Sequence, residues 1–215
     1  MVMGAIIDDL SLFVLSIRKT EPMKLRTFVP LLALLCACAA SAQEASRLMQ
    51  QMAGVYKHRW MSATITPGKA SGEADVPYQA EDVIEIVPYD ADHVYVRVHL
   101  DFYNGHTCGI AGMGRYEHGA FVYHDPERLL PDEPPCALKV GVEGGKLTLT
   151  DRASPDDVST CRAYCGVRGS LNYDIGMDKR RPIRYLDRLK ASRQYRKAID
   201  DLHRTEPQTA NDPVR

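Results

Sequence analysis

The 215-residue chain holds a single tryptophan and four phenylalanines, and neither sign of charge prevails: 27 Lys and Arg stand against 28 Asp and Glu. So even a balance excludes the broad positive field of a nucleic-acid binder and the self-repelling composition of a disordered acidic chain. No apolar stretch approaches the about 20 residues that a bilayer-spanning helix needs, so no transmembrane segment is expected. Missing too are a nucleophile elbow, an HExxH helix, a phosphate-cradling glycine loop and an EF-hand loop. The chain is therefore read as non-catalytic and as needing no cofactor. It has no internal repeat.

What it does have near its start is an export signal. Met23-Lys24-Leu25-Arg26 leads into the short apolar run Phe28 to Ala40, and Ala40-Ser41-Ala42 before Gln43 has the small-x-small form of a cleavage site. Residues 23–42 are expected to be the signal peptide. Met1 to Pro22, interrupted by Asp8 and Asp9, fit no signal, which points to Met23 as the true start. Leu35-Cys36-Ala37-Cys38 offers a rival route, a lipoprotein anchored through Cys38. Either route delivers a periplasmic, exported protein.

After cleavage four cysteines remain, Cys108, Cys136, Cys161 and Cys165, and an even set in an exported chain reads as two disulfides. Cys161 and Cys165 are separated by three residues, whereas zinc knuckles and redox pairs usually have two. Ser154-Pro155-Asp156-Asp157 resembles a helix start and Gly166 a helix end, so both cysteines are expected on one face of a short helix. Bonds from that helix to Cys108 and Cys136 constrain more chain than a bond within it; three connectivities remain open. Arg168 is expected to pair locally with Asp156 or Asp157.

The middle of the chain reads as antiparallel sheet. From His93 to Tyr103 apolar side chains fall on even positions, the period of a half-buried strand. Asn104-Gly105 then signals a two-residue hairpin turn. Such a turn pairs Asp101 with Cys108 and His99 with Ile110, placing Cys108 on the hairpin's polar face, where the cysteine helix clamps it from outside. Val55 to Ile65, Val83 to Val87, Gly112 to Tyr116, Ala120 to His124, Ala137 to Val142 and Lys146 to Thr150 are further strands; Pro67 to Gln79 and Asp125 to Pro135 are loops. The expected fold is mainly β, a small antiparallel β-barrel or sandwich of six to eight strands spanning residues 43–177.

Helices are expected at the margins, over Ala45 to Met52 and after Pro182, where Tyr185, Leu189, Tyr195, Ile199 and Leu202 recur at helical spacing. This C-terminal amphipathic helix, residues 178–204, carries ten Lys or Arg against four Asp; Gln43 to Met177 carries twelve against nineteen acids. An acidic body thus meets a basic helix packed on it, and 205–215 form a flexible tail.

Candidate sites are few. His99, Asp101, His106 and Cys108 would share one hairpin face as weak metal ligands, but Cys108 is committed to a disulfide, so no metal is assigned. Lys57, Arg59 and Trp60, with Arg168, are the weak binding candidates; Trp60 is read foremost as a core anchor.

Asn104-Gly105, Cys108, Gly112, Cys136-Ala137-Leu138 and Cys161-x3-Cys165-Gly166-x-Arg168-Gly169 resemble a group of uncharacterised exported proteins of Gram-negative bacteria with a C-x3-C-G-x-R-G ending. The resemblance implies an envelope location and disulfides, and no mechanism. In general plan alone, a small disulfide-held periplasmic β domain is similar to bacterial lysozyme inhibitors. Two functions follow as expectations. One is a non-catalytic envelope binding or scaffold protein whose basic helix meets its own sheet or an anionic envelope component. The other is a lysozyme-inhibitor-like protein whose acidic body binds a cationic host or phage enzyme such as lysozyme.

Overall fold

The computed structural model describes residues 41–65, 68, 76–127, 132, 134–154, 156–165 and 169–206. Nearly all of the expected signal peptide, Cys36, Cys38, Gly166, Arg168 and the tail beyond Glu206 lie outside them. Eight antiparallel strands follow one another in chain order: β1 Gly54–Thr64, β2 Val76–Pro88, β3 His93–Asp101, β4 Thr107–Glu117, β5 Ala120–His124, β6 Ala137–Glu143, β7 Lys146–Thr150 and β8 Tyr173–Gly176. Together they curl into a nearly closed barrel. Closure differs from the other contacts in kind: no ladder joins β8 to β1. Instead Val55 exchanges backbone hydrogen bonds with Arg181, at 2.8 and 2.9 Å.

Alternation along each strand fills the barrel. Tyr56, Ile84, Val96, Leu100, Phe121, Leu138 and Leu147 belong to one buried cluster, so the interior is packed with side chains. Helix α1, residues 41–52, covers the end where β1 begins, with Met49 and Met52 in that same cluster and the Tyr56 hydroxyl donating to Met52 O at 2.9 Å. At the opposite end the excursion between β7 and β8 supplies Cys161 and Leu171, both fully buried.

Outside the barrel a second apolar cluster forms. Helices α2, Leu186–Lys190, and α3, Arg193–Thr205, press Leu189, Tyr195 and Ala198 onto Val87, Tyr95 and Met113. The Tyr95 and Tyr195 rings lie 4.7 Å apart. Beneath them Glu85, fully buried, accepts from Arg97 Nε and the Tyr185 hydroxyl, so its charge is paired.

Several expectations need correction. Tyr103-Asn104-Gly105 forms a three-residue turn, with Asn104 and Gly105 both at positive φ, and Phe102 N–H donates to His106 O. The extra residue shifts the register by one: Leu100 faces Cys108, Asp101 faces Thr107 and His99 faces Gly109. Cys108 therefore points into the core rather than onto the polar face. The expected cysteine helix is only a 3-10 turn, Arg162–Tyr164, with Cys161 before it and Cys165 extended after it. Residues Val76 to Gln79, expected as loop, open β2, and Gly112 to Tyr116 continue the strand of Cys108. Strand β8 went unexpected. The helix after Pro182 is two, because Ser192 adopts an extended conformation and its hydroxyl caps α3 by accepting from Tyr195 N–H at 3.2 Å.

Candidate functional site

The four cysteines meet at the barrel end opposite α1. Cys108 is bonded to Cys165 and Cys136 to Cys161, which joins the β7–β8 excursion to β4 and to the start of β6. Buried Asp151 fixes the same segment: it accepts from Asn172 Nδ2 at 2.8 Å, from Cys161 N–H at 3.2 Å and from the Ser159 hydroxyl. Tyr123 and Tyr164 both donate to Asp125, and burial, reinforced by that carboxylate, raises both phenols far above their ordinary range. These groups hold the β7–β8 excursion against the barrel.

The binding candidates of the sequence are scattered. Lys57 and Arg59 lie 3.0 and 2.6 Å from Glu81, whose carboxyl is held below its usual range first by Arg59 and then by Lys57. The two bases thus share one carboxylate on the outer face. Trp60 is half-buried beside Ala80 rather than in the core, where Tyr56 takes the anchoring role. His99 contacts Asp101 at 3.4 Å on the outer face, while strand alternation turns Cys108 inward, so the proposed ligand set is split between two faces. His106 stands just before β4 begins, opposite Phe102.

Two groupings escaped the sequence. Buried Asp82 accepts from Tyr173 OH at 2.9 Å and from Asp101 N–H at 2.9 Å, and lies 3.4 Å from Nδ1 of half-exposed His58. The Tyr173 phenol is raised by burial and by Asp82, so it remains a proton donor. Only the approach of β8 to β1 brings these residues together, and no local motif announces it. At the β2–β3 turn Asp90, Asp92 and His93 stand within metal-ligand distance of one another. Asp90 Oδ1, however, already accepts from the Asp92 and His93 N–H groups at 3.1 and 2.8 Å, the bonding of a capped turn.

The remaining features are surfaces. An open groove of about 870 Å³ runs over the outer face of β6, β7 and β8, lined by Lys139, Lys146, Thr148, Arg152, Asn172 and Asp174. Its cations and acids alternate, and Lys146 lies 3.8 Å from Asp174. The tail helices differ. They dock through apolar contacts, and among the described residues a single ion pair, Lys197 to Glu127 at 3.4 Å, joins a base of the tail to an acid of the barrel. Arg188, Lys190, Arg193 and Arg196 are all exposed, and no carboxylate stands within ion-pair distance of them among the described residues. The first turn of α3 contains no acid, although acids there favour the helix dipole.

Fold and surface together define a disulfide-capped antiparallel barrel with a packed interior and charged outer faces. No family model matches the chain, and neither the curated proteins nor the solved structures contain a match to it.

Proposed function

We propose that this is a non-catalytic exported protein of the bacterial envelope that binds an anionic envelope component through its outer surface. The observation that carries the reading is the cationic strip on α2 and α3. Its bases are exposed and lack carboxylate partners among the described residues, so the acidic body leaves their charge available. Two disulfides suit an oxidising compartment, and no described helix is long and apolar enough to cross a membrane. A packed interior favours surface contact over enclosure of a small molecule. The test is binding of the oxidised protein, from Gln43 onward, to isolated envelope fractions. Binding is expected to weaken with salt and to fall at least tenfold when Arg188, Lys190, Arg193 and Arg196 become Gln. Undiminished binding by that variant would reject the strip.

The same separation of charge supports a second reading, in which the acidic body engages a cationic enzyme of the lysozyme type. Salt-sensitive loss of lysozyme activity on adding the protein would select it. Full lysozyme activity at low salt would discard it.

A further inference from the structure

The barrel end at which β1 begins has a chemistry of its own. Arg47 on α1 and Arg180, Arg181 and Arg184 on the segment after β8 all lie there and are all exposed. Arg180 reaches the C-terminus of α1, donating to Gln50 O at 3.0 Å and to Gln51 O, while Arg181 is tied through its backbone to Val55. Two shallow clefts result. One, of about 450 Å³, is flanked by Arg47 and Arg180; the other, of about 290 Å³, is flanked by Arg181 and Arg184. Among the described residues no carboxylate is ion-paired to any of the four; Asp178, the acid nearest in sequence to Arg180 and Arg181, is engaged with Lys179 at 3.5 Å, and Glu44 and Asp187, each three positions from Arg47 and Arg184, are exposed without an ion pair to them.

We propose that this arginine-bearing end rests on the phosphate headgroups of an anionic membrane surface, which stands the barrel end-on to the bilayer. The proposal rests on the reading of an anionic envelope partner and adds to it a second contact surface, apart from the strip on α2 and α3. Guanidinium forks match phosphate oxygens in geometry as well as charge. Because the clefts are open and side by side, they suit many phosphates presented in a plane better than one enclosed anion. The exposed residues Gln43, Glu44, Ser46, Arg47, Gln50 and Gln51 of α1 are polar and carry one acid against one base, so the helix lies against headgroups without entering the acyl region and the attraction rests on the arginines of the segment after β8 with Arg47.

The test sediments the oxidised protein, from Gln43 onward, with vesicles of phosphatidylcholine alone or mixed with phosphatidylglycerol. Binding is expected only to the mixed vesicles and to weaken with salt. R47Q/R184Q, which removes two side chains without described partners, is expected to lower binding roughly 20-fold, with R193Q/R196Q changing it about twofold or less. The reverse order would overturn the end-on contact while leaving the cationic strip, and hence the proposed function, intact. Absence of vesicle binding by the native protein at low salt would also overturn it; binding to envelope fractions would then still support the wider reading. Competition by inorganic phosphate as effective as that by added vesicles would assign the clefts to a soluble anion instead. Hydrogen exchange on the native protein gives a readout independent of the variants: residues 43–51 and 179–185 should gain protection on mixed vesicles, and unchanged exchange there would count against the contact.

Discussion

Gly112 has no side chain because another residue occupies its space. A Cβ built there falls 2.0 Å from Cε2 and 2.4 Å from Cδ2 of Tyr123, whose ring lies across β4 on the inner face. Gly112→Ala should therefore destabilise the protein by about 1–3 kcal/mol through overpacking, measured by urea denaturation. In a Tyr123→Ala background the same change should cost much less, because the two sites share one volume. Equal costs in both backgrounds would refute the steric account. The sequence places Gly112 in a strand but says nothing of the ring it accommodates. Lys57 and Arg59 illustrate the same gap, since their charge is legible in the sequence while their shared partner, Glu81, emerges only from the β1–β2 register.

Elements were recognised where their signal is local. Strands β5 and β7 have the expected limits because alternation and flanking turns define them. Strand β8 escaped because four residues, Tyr173-Asp174-Ile175-Gly176, are too few to establish a period, and pairing with β7 makes them a strand. The Asn104-Gly105 turn was located correctly and counted wrongly: one residue more in the turn moved Cys108 from the outer face to the core. That shift gives the disulfides their role as a tie between the β7–β8 excursion and the barrel interior. Their sequence separations are 57 for Cys108–Cys165 and 25 for Cys136–Cys161. Loop-closure entropy then predicts losses of about 4 and about 3.5 kcal/mol when each pair is replaced by serine. Equilibrium unfolding of C108S/C165S and C136S/C161S would check this; losses near zero would mean that Asp151 and Tyr164 hold the excursion unaided.

At the scale of the whole molecule, stability should be bounded most sharply on the alkaline side. Burial pushes the phenols of Tyr56, Tyr95 and Tyr185 up to about 12, and those of Tyr123, Tyr164 and Tyr173 are raised as well. A folded pKa above the unfolded value of about 10 contributes stability that is complete below about pH 10. It is lost as pH rises toward 12. Tyrosinate absorbance should therefore lag behind that of the free amino acid and rise together with unfolding seen by circular dichroism. Smooth titration near pH 10 with the fold intact would contradict the burial argument. The acid limb has the opposite sign: Glu81, lowered by Arg59 and Lys57, contributes stability above its unfolded pKa and loses it as pH falls through the folded one. Its exposure keeps that contribution small.

The sequence by itself determined the β class, the surplus of bases in the last helices and an even set of cysteines in the expected mature chain, because composition and short-range periodicity are properties of neighbouring residues. Only the tertiary structure decided that the sheet curls into a barrel, that Cys108 takes Cys165 as its partner, and that the tail docks by apolar contact with its bases left outward. Each of these depends on residues far apart in the chain, and their meeting is set by register and closure, which no local window of sequence contains.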